Sequence, residues 1–140
     1  KEIIQWKEKL GGGFTPNTIY IATRTHKESQ LEENPFRKFV GLTFNALVRT
    51  ITGITTRDSQ CGFKLYPNSI AKRCFKNLLV SGWAHDVEIL YKAGLLDIQV
   101  QEMPIAWTVQ DDSKVNVFTD SIQMLIDVIR VVSKVKKEDL

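Results

Sequence analysis

Arg57-Asp58-Ser59-Gln60-Cys61-Gly62-Phe63-Lys64-Leu65-Tyr66 is the stretch on which the reading of this chain turns. Gly62 to Tyr66 alternates as a strand does. Pro67-Asn68-Ser69 then opens a helix whose expected inner face is Ile70, Cys74, Phe75 and Leu78. After it comes Trp83-Ala84-His85-Asp86-Val87-Glu88, with two carboxylates at the start of a further helix expected over 84–93. That helix is expected to bury Val87, Leu90 and Tyr91 and to end at Gly94. An Asp beside a glycine-bearing strand entry, with two carboxylates at a helix start, is how a chain builds an acidic site.

Outward from this centre, strands and helices keep alternating. Thr18 to Thr23 is short, apolar and rich in β-branched residues, the pattern of a buried strand. Arg24 to Asn34 is polar and reads as a loop. Pro35 suits the first position of a helix, and Phe36, Phe39, Val40, Phe44, Leu47, Val48 and Ile51 recur at helical spacing up to Gly53. Arg37, Lys38, Asn45 and Arg49 make the other side, so this helix either faces the core or lies on a membrane with a cationic flank. Residues 1–10 carry Ile3, Ile4, Trp6 and Leu10 among charges, as an amphipathic helix does, and Gly11-Gly12-Gly13 stops it. Ile98 to Gln101 alternates again, and Pro104 marks an edge or a strand end. Residues 109–117 read as a polar loop, Phe118 starts a last helix carrying Met124, Leu125, Val128, Ile129 and Val132, and 133–140 reads as a polar tail. The class is α/β, in one partial domain over 1–140.

Composition narrows the functions. With 43% apolar residues the chain holds enough for a packed core. A net charge of +3, from 19 basic and 16 acidic residues, falls short of a nucleic-acid binder and suits an anionic membrane or a phosphorylated substrate. Cys61 and Cys74 lack metal-ligand spacing and read as reduced core thiols rather than a disulfide. No apolar run is long enough to span a bilayer. His26 and His85 form no ligand set, and Asp111-Asp112 read as solvated carboxylates, so no metal site is expected here.

From about Thr18 to Val132 the chain resembles the acceptor half of glycosyltransferase family 2, within its polyprenyl-phosphate group and closest to the dolichyl-phosphate β-glucosyltransferases. The resemblance rests on three motifs: Asp58 to Lys64, Trp83-Ala84-His85-Asp86-Val87-Glu88, and Asp112-Ser113-Lys114. It implies the C-terminal portion of a GT-A, Rossmann-like fold without the N-terminal nucleotide-binding half. It implies inverting transfer of a hexose, glucose above all, from a nucleotide sugar such as UDP-glucose to a polyprenyl or dolichyl phosphate. The setting would be the cytoplasmic face of a membrane, with no nucleic acid involved.

The resemblance also implies roles. Asp58 and Asp86 are the catalytic candidates, Arg24 and Arg37 would hold the acceptor phosphate, and Lys114 would reach the donor diphosphate. Gln60, Gly62, Lys64, Trp83 and Glu88 would support them, Gly62 by admitting a close backbone approach. Glu88 has a competing reading as a buried partner of Arg57 or Lys64. Thr108 stands where the mannosyl-transferring relatives carry an Arg, a departure that fits the glucosyl branch. The Asp-x-Asp motif that holds Mg²⁺ or Mn²⁺ in the family does not occur in these residues. The 140 residues alone are therefore expected to be inactive. The other readings are a transferase acting on another cell-envelope glycan and a non-catalytic module that binds a membrane or partner.

Overall fold

A computed structural model describes residues 2–24, 30–32, 35–108 and 117–140; the side chains of 30–32, 36–38, 107–108, 117–119 and 139 lie outside the description. Five helices surround a small mixed sheet: α1 (Glu2–Lys9), β1 (Thr18–Thr23), β2 (Gln30–Glu32), α2 (Pro35–Thr52), β3 (Lys64–Leu65), α3 (Asn68–Cys74), α4 (His85–Leu95), β4 (Gln99–Pro104), β5 (Ala106–Thr108) and α5 (Val117–Lys134). Two 3₁₀ turns, Gly82–Ala84 and Lys137–Asp139, complete it. The α/β class read from the sequence is the class observed.

The sheet order is β3-β1-β4, with β1 parallel to β4 and antiparallel to β3. β1 is central, and Ile19 to Thr23 are all buried, which explains its unbroken apolar run. One face of the sheet packs Ile19 and Ile21 against Ile70 and Cys74 of α3 and Ile89, Leu90 and Ala93 of α4. The other packs Tyr20 and Ala22 with Cys61, Met103 and Trp6, whose indole N–H donates to the Pro104 carbonyl at 2.9 Å. On the helical side Val48 of α2, Val87 of α4 and Val128 of α5 meet in one cluster. A further cluster joins Val131 and Val135 to Val80 and Ala84.

Helix ends follow local chemistry. Gly11 and Gly12, at φ 71° and 115°, close α1 in a conformation that costs side-chain-bearing residues energy. α4 runs through Gly94 instead of ending there. Asp97 takes the left-handed position at φ 56°, and the Ile98 N–H reaches back to the Ala93 carbonyl at 3.0 Å.

Several expectations are corrected. The polar segment 24–34 contains β2, which pairs in parallel with β5. The strand expected over 62–66 is only two residues long, although the Phe63 carbonyl still accepts from the Ala22 N–H at 2.9 Å. Phe75 is 44% exposed, its ring meeting Tyr66 edge-on. The expected polar tail is docked, with Val135 buried and Leu140 packed beside it. Of the apolar residues read at helical spacing, Val48 and Val128 are buried, whereas Leu47 and Ile129 are 43% and 49% exposed. Cys61 and Cys74 are free and buried, as read from their spacing.

Candidate functional site

The site gathers at the carboxyl end of β1, where open α/β sheets bind ligands because strand ends and loops leave a crevice there. β1 finishes at Thr23, so Arg24 is the first residue beyond the sheet. The segment from Ile54 to Phe63 crosses in front of it without regular structure except turns. Long-range bonds fix that segment. The Arg57 N–H donates to Glu102 Oε1 of β4 at 2.5 Å, and the Gln60 amide donates to the Trp83 carbonyl at 3.3 Å.

Asp58 is 1% exposed, and both its oxygens go to Arg24. The Arg24 backbone N–H and Nε donate to Oδ2 at 3.0 and 2.8 Å, and Nη2 donates to Oδ1 at 2.9 Å. This two-pronged pairing fixes the guanidinium plane as well as its position. The Arg24 side chain keeps 34% of its surface exposed, so the pair presents a cation outward over a buried anion.

Lys64 and Asp86 form the second pair. Register places Lys64 opposite Ile21 in the sheet, with its side chain 3% exposed, and Asp86 sits in the first turn of α4. Nζ lies 2.9 Å from Asp86 Oδ1, at an angle that makes the contact a charge pair rather than a hydrogen bond, so buried Nζ has no hydrogen-bond acceptor among the described residues. Tyr66 lies two residues further on, and its buried hydroxyl has no hydrogen-bond partner among the described residues. Burial, then the Asp86 charge, pushes the Tyr66 phenol well above its ordinary value of 10.0. Beside the Lys64–Asp86 ion pair, the buried Tyr66 hydroxyl leaves hydrogen-bonding capacity unused at this corner. His85 closes the outer side, with Nε2 3.5 Å from Asp86 Oδ1 and Nδ1 2.6 Å from the Gly82 carbonyl. Cys61 lies within the field of Asp58, Arg24 and Lys64, and burial pushes its thiol up from 9.0.

Glu88 turns the other way. It is fully buried, its carboxylate accepts from the Leu79 N–H at 2.9 Å and the Val80 N–H at 3.0 Å, and Lys92 Nζ sits 2.9 Å away. Its partner is thus Lys92, one helical turn on, and not Arg57 or Lys64. Asp86 and Glu88 diverge as positions two apart on a helix must.

Among the remaining sequence-predicted residues, Trp83 is 59% exposed at the rim. A Cβ at Gly62 would meet nothing within 4 Å, so the chain's own packing does not require a glycine there. Arg37 lies in the first turn of α2 with its side chain outside the described residues. Lys114, with Asp111 and Asp112, falls wholly outside them. The sequence reading gave no role to Tyr66 or Glu102. Tyr66 had a usable signal, its alternation with Lys64; Glu102 had none, since its partner is 45 residues away. Among the described residues no group of three His, Cys, Asp or Glu side chains could hold a metal ion.

Three curated proteins bring this geometry to a family. The chain is 43% identical over 88 residues to the dolichyl-phosphate beta-glucosyltransferase of Dictyostelium discoideum, covering 63% of this chain and 27% of that protein. It is 38% identical over 126 residues to the Homo sapiens protein of the same name, covering 84% of this chain and 39% of the relative. For the Saccharomyces cerevisiae protein of that name, the figures are 34% over 118 residues, 82% and 35%. The chain thus spans less than two fifths of the length of each of these relatives. No family model matches it, and no solved structure does. Over most of its own length, the chain is a relative of the dolichyl-phosphate β-glucosyltransferases of glycosyltransferase family 2.

Proposed function

We propose that the protein transfers glucose from a nucleotide sugar, UDP-glucose, to dolichyl phosphate, with inversion at the anomeric carbon. The observation that carries this reading is the likeness to proteins named for that reaction over most of the chain, motif-bearing segments included. In this reading the 140 residues are the acceptor side of a GT-A fold and turn over no donor by themselves. The described residues and the missing Asp-x-Asp motif do not fit the family's Mg²⁺ or Mn²⁺, so no step is derived through a metal.

The geometry supports a division of labour at the acceptor end. A lipid phosphate is an anion, and Asp58, facing it directly, would repel it. Arg24 attracts it instead, oriented by the Asp58 clamp. Asp58 acts as the positioning residue, and Arg37 and Lys114 are the further cations that the family resemblance assigns to the acceptor phosphate and the donor diphosphate. Asp86, 18% exposed and anchored by Lys64, is the carboxylate at the open side of the site. It orients polar groups of the incoming sugar or cations of the site, since a phosphate oxygen needs no base to attack. The reaction is one in-line displacement: phosphate oxygen bonds to the anomeric carbon as the bond to the nucleotide diphosphate breaks. It takes place at the cytoplasmic face of a membrane; no described helix is long and apolar enough to cross one.

The test supplies the intact protein in membranes with radiolabelled UDP-glucose or GDP-mannose, dolichyl phosphate and Mg²⁺. Label should enter lipid from UDP-glucose only and fall about 10²-fold in Arg24→Lys and Asp58→Asn, the scale for a misplaced reacting group. No lipid label from either donor overturns the reading.

A further inference from the structure

We infer that Trp83 is the platform for the donor sugar: its indole stacks on the C–H face of the hexose and selects glucose against sugars with an axial hydroxyl on that face. This rests on the proposed glucosyl transfer and adds to it the residue that reads the sugar. Trp6 serves the core, 1% exposed with its indole N–H given to the Pro104 carbonyl. Trp83 is 59% exposed, although the turn that carries it is held from several sides. Gly82 precedes it at φ 80°, a left-handed conformation that a side chain would strain. Ala84 follows it, buried with Val80, Val131 and Val135. The Gln60 amide donates to the carbonyl of Trp83 itself at 3.3 Å, and His85 Nδ1 lies 2.6 Å from the Gly82 carbonyl. A single exposed apolar residue is ordinary. Here a fixed backbone presents a flat, rigid ring, which loses little freedom when a ligand covers it.

Position ties the ring to the site. The 3₁₀ turn runs straight into α4, so Trp83 and Asp86, three residues apart, share a side. Helical side chains lean toward the N-terminus, which tips Asp86 toward that turn. Gln60 stands two residues beyond Asp58, so its bond to Trp83 also fixes the turn against the segment that clamps Arg24. An aromatic face next to a carboxylate complements a hexose: ring C–H groups cover the indole while hydroxyls donate to the carboxylate. An isoprenoid chain would leave Asp86 unused, and a diphosphate would be repelled by it. Glucose fits the platform best, because all its ring hydroxyls are equatorial. In UDP-glucose the diphosphate is axial, as inversion to a β product requires, and takes up one face of the ring. The other face carries only the axial C–H bonds of the second and fourth carbons. Mannose turns its second hydroxyl, and galactose its fourth, axially into that face. Either hydroxyl would hold the ring off the indole and lose water without gaining a partner.

The test uses the intact protein with Mg²⁺ and dolichyl phosphate, and compares UDP-glucose with UDP-galactose so that the nucleotide stays the same. Trp83→Ala should lower kcat/KM for UDP-glucose about tenfold, the scale of one aromatic contact. The preference for UDP-glucose over UDP-galactose should shrink by a similar factor, and Trp83→Phe should restore most of both. KM for dolichyl phosphate and inhibition by free UDP should not change. Circular dichroism checks folding, and Trp83→Leu, apolar but without a flat ring, replaces the alanine variant if that unfolds. An unchanged sugar preference overturns the inference. So does a rise in KM for dolichyl phosphate alone, which would put the indole under the isoprenoid, or a loss of UDP inhibition, which would put it under the base. Binding is also read without turnover. The fluorescence that the wild type has and Trp83→Phe lacks should respond to UDP-glucose more than to UDP or UDP-galactose. A wild type that glucosylates no lipid refutes the proposed function. The indole signal then judges the platform by itself, and its indifference to UDP-glucose overturns the inference.

Discussion

Replacing Glu88 by Gln separates a structural carboxylate from a catalytic one. Glu88 is fully buried, and its oxygens accept from two backbone N–H groups and face Lys92 Nζ at 2.9 Å. The amide nearly preserves shape but loses the charge and one acceptor, and turns a donor toward groups that themselves donate. Lys92, 2% exposed, is left with the carbonyls of Lys76 and Asn77 at 2.9 and 3.2 Å and no anion. Removing one partner of a buried pair costs about 3–5 kcal/mol. With a urea dependence of about 1–3 kcal/mol per M, the midpoint should fall by roughly 2 M. Lys92→Met should cost less, about 1–3 kcal/mol, because the carboxylate keeps its backbone donors. Glu88→Leu/Lys92→Met should lose less than the two single losses added, since the pair disappears together. Equilibrium urea unfolding followed by circular dichroism reads all three. An unchanged midpoint in Glu88→Gln, with glucosyl transfer abolished, would refute the reasoning and return Glu88 to the site.

Other outcomes follow from neighbouring features. Lys64→Met leaves Asp86 without its anchor and should lower kcat/KM of the intact enzyme about 10²-fold, while Lys64→Arg restores part of it; steady-state kinetics with dolichyl phosphate checks this. Cys61 and Cys74, their thiols raised by burial, should resist iodoacetamide in the folded protein at pH 8 and react once it is unfolded, as read by mass spectrometry. Tyr66 and both thiols hold their protons more tightly folded than unfolded, so the unfolded chain releases them first. Stability should therefore fall as pH rises through 9.0 and 10.0, by up to about 1.4 kcal/mol per pH unit for each group titrating, and Tyr66→Phe should flatten the upper part of that fall in alkaline thermal melts.

What the sequence determined by itself was local. The unbroken run of β1 and the periodicity of α2 were legible because each is set by neighbours within a few residues. Asp58 and Asp86 were legible as candidates because each stands in a short motif beside a strand entry or helix start. β2 and β5 were not legible: three-residue strands carry no period, and they exist because β1 and β4 bring their segments side by side. The partners of the charged groups were also decided in three dimensions. Asp58 meets Arg24 across 34 residues, and Glu88 abandons the site for Lys92. A buried charge goes to whichever opposite charge and N–H groups the packed chain places beside it, because desolvation penalises every unpaired arrangement. The outward isoleucines of α5 follow the same division: their spacing was written in the sequence, but only packing decided which side of the helix the core would take.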